Sequence, residues 1–119
     1  MSCLFNSLDF FIGEGSFNVR QKICNYLQEN KPIIDGLETN LILSFENKNP
    51  QQYIESMRST SVWGGAIEIQ AACNIWNISI IVKNYRDSKG TDIEFIPITS
   101  NIEKTIHIYW TGGHYEPIR

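Results

Sequence analysis

The stretch Met1-Ser2-Cys3-Leu4-Phe5-Asn6-Ser7-Leu8-Asp9-Phe10-Phe11-Ile12 decides how the rest of the chain is read. Leu4, Phe5, Leu8, Phe11 and Ile12 fall at helical spacing, which predicts a buried amphipathic helix with Cys3 in its first turn. Backbone N–H groups at such an end lack intrahelical partners, and the macrodipole is positive there. That setting favours the thiolate, the nucleophilic form of cysteine. On position alone the same residue also reads as a small buried apolar side chain.

A nucleophile of this kind needs a base, and the far end of the chain offers Gly112-Gly113-His114-Tyr115-Glu116-Pro117. The two glycines free the backbone to present His114 and Tyr115. A Cys3–His114 pair closed by the fold, with Glu116 orienting the imidazole, follows the logic of an activated nucleophile. The plainer alternative makes His114 an ordinary surface or hydrogen-bonded residue.

Length and composition bound the other possibilities. With 119 residues the chain fits one compact domain. Its 42% hydrophobic content is enough to build a core. The net charge of -3, with no basic run or stripe, argues against nucleic acid as the partner. Cys3, Cys24 and Cys73 are odd in number and widely spaced, which fits neither a disulfide framework nor a zinc site. A reduced, cytoplasmic setting is the expectation. No apolar run is long enough to span a bilayer, so no membrane association is expected.

Outward from the first helix, Gly13-Glu14-Gly15 makes a turn, and Ser16 is the expected cap of a helix over about 17–29. Its buried face carries Val19, Ile23, Tyr26 and Leu27. Cys24 beside that face reads as an inert thiol. Residues 30–49 are punctuated by Pro32, Asp35-Gly36 and Asn47-Lys48-Asn49, with a short helix between 37 and 45. Asn49-Pro50 is a clear helix start. Val62-Trp63-Gly64-Gly65 then turns the chain into a helix over about 66–76, with Ile67, Ala71 and Ile75 toward the core. Glu68 in its first turn reads as charge placement against the dipole. Strands are predicted over 78–82, 93–98 and 105–110, and the short connections predict antiparallel neighbours. His107 reads as a residue of the polar face.

Together these marks resemble the OTU (ovarian-tumour) cysteine peptidases, a deubiquitinase family related to papain. Cys3-Leu4-Phe5-Asn6-Ser7-Leu8 is similar to the family's nucleophile motif. Tyr53, Met57, Trp63-Gly64-Gly65, Glu68 and Ala71 match its central block, 78–82 its following strand, and Gly113-His114-Tyr115-Glu116 its histidine-bearing end. The family motif starts with an aspartate three residues before the cysteine. Here that position falls ahead of Met1, and Met1 stands where the family has glycine. Losing one oxyanion donor from that loop costs roughly 10²–10³ in rate.

The resemblance implies a single OTU-like domain over 1–119, lacking the family's segment ahead of the nucleophile. Its fold would be α+β and papain-like, a small, mainly antiparallel sheet packed between helices. It implies hydrolysis of (iso)peptide bonds at the C-terminal glycine of ubiquitin or a ubiquitin-like modifier. Cys3 is then nucleophile, His114 base and acid, and Glu116 their orienting partner. Trp63, Gly64, Gly65 and Tyr115 line the substrate channel, although Trp63 also reads as a core or loop anchor. No metal or organic cofactor is needed, and a monomer is expected. The alternative is a catalytically weak or inactive OTU-like ubiquitin-binding module.

Overall fold

A computed structural model describes residues 3–85, 90–99 and 101–118. Apolar spacing lays down α1 (Cys3–Ile12), and Gly13, at φ +79°, ends it. The Asp9 carboxylate accepts the N–H groups of Glu14 and Gly15 at 2.8 and 2.7 Å. With the turn tied in this way, Gly15 becomes the cap of α2 (Ser16–Gln28), and Ser16 is its first helical residue rather than its cap.

The punctuated region becomes a small hairpin, β1 (Pro32–Ile34) and β2 (Leu37–Glu38), followed by α3 (Thr39–Phe45). Asn49 caps α4 (Pro50–Met57), its side chain accepting the Gln52 N–H at 3.0 Å. The next helix, α5 (Ala66–Trp76), runs through the middle of the molecule. All six residues 68–73 are buried, so its core side is wider than the expected Ile67–Ala71–Ile75 stripe, of which Ile67 and Ile75 are only half-buried.

Four strands close the fold: β3 (Ile78–Asn84), β4 (Ile93–Phe95), β5 (Lys104–Trp110) and β6 (Tyr115–Pro117), in the spatial order β4-β3-β5-β6. The β3–β4 and β5–β6 pairs are antiparallel, but the central pair, β3 with β5, is parallel over Ile78↔Lys104 to Asn84↔Trp110. The expectation that short connections give antiparallel neighbours fails there for a topological reason. After β4 the chain passes to the other edge of β3, so β5 alternates in direction with β4 but does not touch it.

Ile78, Ile80, Val82, Ile106 and Ile108 form one buried face, against which α5 packs. Ile81, Lys83, His107 and Tyr109, on the opposite face, are only half-buried. Ser79, also on that face, is buried, its Oγ donating to the Phe95 carbonyl at 3.2 Å. Helix α1 packs on the edge strand β6, which brings the start of the described chain beside its end.

Candidate active site

Cys3 is the first residue of α1, and Ser7 Oγ donates to its carbonyl at 2.7 Å. Leu4, Phe5 and Leu8, all fully buried, anchor the helix. The Arg20 guanidinium stacks 4.0 Å from the centre of the Phe5 ring and donates to the Met57 carbonyl at 2.8 Å. Arg20 is itself buried, a role its polar character hid from the helical pattern.

Gly64 touches the same helix. A Cβ placed on it would lie 2.7 Å from Leu4 Cδ2 and 2.9 Å from Phe5 Cζ. Its glycine identity is thus a matter of close approach to α1. Next to it, Trp63 is 54% exposed. Gly113 comes so near that its Cβ would stand 4.0 Å from the Trp63 ring.

Cys3, Trp63, Gly64, Trp110, Gly112, Gly113 and Tyr115 line one cleft of about 210 Å3. Four of the residues expected at the site, Cys3, Trp63, Gly64 and Tyr115, therefore meet in space. Gly65 is not in that wall; it caps α5, and its N–H donates to Glu68 Oε1 at 2.7 Å. His114 and Glu116 stand beside the cleft. Gly112, at φ +105°, turns the chain out of β5 as only glycine does readily, and the Thr111 N–H closes the turn on the His114 carbonyl at 3.0 Å.

His114 Nε2 and Glu116 Oε1 are 2.6 Å apart, on half-exposed side chains. An ionised carboxylate only accepts, so Nε2 carries the proton and Nδ1 is left as the basic nitrogen. Among the described residues no hydrogen bond joins Cys3 to His114. Met1 and Ser2, and with them the expectation about the segment before the nucleophile, lie outside the described residues. So do residues 86–89 of the expected 85–92 loop.

The other thiols are placed differently. Burial pushes the Cys24 thiol up to about 11 and the Cys73 thiol up to about 12. Tyr115 is also raised, first by burial and then by the nearby Cys3 and Glu68 side chains. His107 lies mid-strand with a buried Nδ1 that has no hydrogen-bond partner among the described residues. Among the described residues, no group of three His, Cys, Asp or Glu side chains is placed to hold a metal ion. A larger cavity of about 700 Å3 lies away from this site, among Gln28, Asn40, Pro50, Ile54 and Arg58, and carries no nucleophile.

Glu68 is more than charge placement. It is fully buried, with Oε2 accepting the Tyr53 O–H at 2.6 Å and Oε1 the Gly65 N–H. Burial raises its pKa above 4.5, outweighing the lowering by those two bonds. A raised folded pKa gives stability that is full below the unfolded value and is lost as pH climbs through the folded one. The stability of the wild type relative to Glu68→Gln, which does not titrate, is therefore expected to fall as pH rises from about 4 and then level off. Denaturant midpoints of both proteins from about pH 4 to about pH 8 check this, and a gap that widens in favour of the wild type contradicts it.

Residues 2–115 match the family model described as OTU-like cysteine protease. Ubiquitin thioesterase otu2 of Schizosaccharomyces pombe is 32% identical over 72 residues, which is 56% of this chain and only 23% of that protein. Solved OTU-domain structures share the fold. An OTU domain in complex with ubiquitin superposes with a TM-score of 0.77 at 19% identity, covering 98% of this chain and 62% of that one. The viral OTU domain protease from Dera Ghazi Khan virus gives 0.72 at 22% identity, covering 98% and 72%. An OTU deubiquitinase from Wolbachia pipientis bound to ubiquitin gives 0.68 at 19% identity, covering 99% and 89%. Sequence motifs, chain topology and the family match all point one way, and the chain belongs to the OTU-like cysteine protease family.

Proposed function

We propose that this chain is a cysteine-dependent deubiquitinase that hydrolyses (iso)peptide bonds at the C-terminal glycine of ubiquitin or a ubiquitin-like modifier. One observation carries the reading: the helix-terminal Cys3 shares a cleft with the Gly112–Gly113 turn, and that turn delivers a hydrogen-bonded His114–Glu116 pair. Family membership and the ubiquitin-bound relatives of the same fold support it.

In this reading His114 Nδ1 takes the thiol proton and Cys3 Sγ attacks the glycine carbonyl. The Cys3 backbone N–H, free of an intrahelical partner at the start of α1, donates to the oxyanion. Collapse of that intermediate expels the lysine amine with the proton from His114 and leaves a thioester. Water, deprotonated by His114, attacks the thioester and frees the modifier's carboxylate. Glu116 keeps the ring in the one tautomer that serves both steps. The aromatic walls Trp63 and Tyr115, with Gly64 between helix and cleft, leave room for a thin, side-chain-free tail. Gly65 contributes by capping α5.

The second reading is an OTU-shaped ubiquitin-binding module without turnover, and the missing hydrogen bond between Cys3 and His114 favours it. Ubiquitin carrying a fluorogenic C-terminal amide separates the two. The peptidase reading expects release of the fluorophore by the wild type and its loss in His114→Ala. Binding of ubiquitin without release supports the module.

A further inference from the structure

We infer that Glu68 is a positioning residue for the reaction at Cys3, holding the Gly64–Gly65 segment against helix α1 and so fixing one wall of the cleft. The inference rests on the peptidase reading above.

Placement of charge at a helix start asks only for a carboxylate near the dipole, and a solvated one serves. Glu68 goes further. It is 1% exposed and commits both oxygens to named donors, one on α4 and one at the start of α5. Burying a carboxylate is costly unless its hydrogen bonds are made, so a fully buried one points to a task that needs both bonds. The Gly65 N–H precedes the first turn of α5 and is one of the donors that a helix start leaves unpaired, and Glu68 reaches back to satisfy it.

The link from there to the sulfur is short. Gly65 is joined directly to Gly64. Gly64 rests on Leu4 and Phe5, and those residues follow Cys3 on α1. Neither glycine has a side chain of its own to hold this segment, so its position depends on the bond to Glu68 and on the contact with α1. Tyr53 fixes the other carboxylate oxygen from α4. Arg20, stacked on Phe5, and Lys48, 5.0 Å from the Tyr53 ring centre, are the cations on the neighbouring elements.

The test compares wild type, Glu68→Gln and Glu68→Met on ubiquitin with a fluorogenic C-terminal amide, with kcat counted per titrated thiol, and follows the Leu4 methyl resonance by NMR. Glutamine keeps an acceptor for Gly65 and offers its amide N–H to the Tyr53 oxygen. It is expected to hold kcat within about threefold and leave the Leu4 methyl in place. Methionine removes the acceptor. Because a wall displaced by about 1 Å can cost on the order of 100-fold, kcat should fall about 10- to 100-fold with KM changed less than about threefold, and the Leu4 methyl should shift. Tyr53→Phe, which removes one bond, should give the same split in milder form if Glu68→Met does not fold.

An active wild type whose kcat is untouched by Glu68→Met overturns the inference and leaves the peptidase reading standing. So does a loss that glutamine does not rescue, or one that follows the unfolded fraction alone. An inactive wild type whose Leu4 methyl still responds to Glu68→Met overturns the peptidase reading while the placement of the wall stands.

Discussion

Replacing Cys3 by alanine is expected to lower hydrolysis of a ubiquitin C-terminal amide by about 10⁴-fold or more, to the background of the assay. Ubiquitin affinity and melting temperature should stay near their wild-type values. The reason lies in how the residue is held. Cys3 contributes its sulfur to the cleft wall, while the burial that anchors α1 comes from Leu4, Phe5 and Leu8. Losing the sulfur removes the nucleophile but little of the packing. Neither remaining thiol is a credible substitute, since Cys24 and Cys73 are buried and burial raises both. Substantial activity in Cys3→Ala would mean that the bond is broken by a different group, and the chemistry proposed above would be wrong.

The second large effect is expected at Gly64. An alanine there drives its Cβ to 2.7 Å from Leu4 Cδ2 and 2.9 Å from Phe5 Cζ, inside any real contact distance. Both side chains are fully buried, and Phe5 is pinned by the Arg20 guanidinium behind it, so neither can move aside cheaply. Overpacking of this kind costs about 2–3 kcal/mol. For a domain of this size that amounts to roughly 10 °C in melting temperature. The strain also falls on the turn of α1 that carries Cys3. Activity per folded molecule should therefore drop, by about 10-fold or more. Calorimetry together with active-site titration checks both parts. Unchanged stability and unchanged turnover in Gly64→Ala would show that the contact between this segment and α1 is loose enough to admit a methyl group.

Much of this arrangement was legible in the sequence where local signals sufficed. The spacing of Leu4, Leu8, Phe11 and Ile12 gives α1, and Asn49-Pro50 gives α4 through a cap that the structure shows as a side-chain bond to the Gln52 N–H. The alternation of Ile106, Ile108 and Trp110 gives β5. What escaped depends on partners distant in the chain. Tyr115-Glu116-Pro117 is too short to announce a strand, and β6 exists because β5 offers its free edge. The parallel pairing of β3 with β5 is set by where the chain returns after β4.

At the site the same division holds. Cys3, Trp63, Gly64 and Tyr115 could be chosen from motif and spacing, and the fold gathers them. Arg20 could not, because a periodicity count treats arginine as a solvent-facing residue, yet its planar head stacks on Phe5 and its N–H finds a buried carbonyl. The burial of Glu68 is hidden for a similar reason: a helix-start carboxylate looks alike in sequence whether solvated or buried, and only the approach of Tyr53 from α4 tells them apart. Gly65 adjoins Gly64 in sequence, and what the sequence does not announce is that its N–H donates to Glu68 at the start of α5.

Mapping the adduct formed with ubiquitin bearing a C-terminal electrophile would test the pairing of the two chain ends most directly. Intact mass should show one ubiquitin added per chain, and fragmentation of the digest should place the thioether on Cys3, with labelling slowed in His114→Ala. No adduct, or one carried by Cys24 or Cys73, would contradict the account.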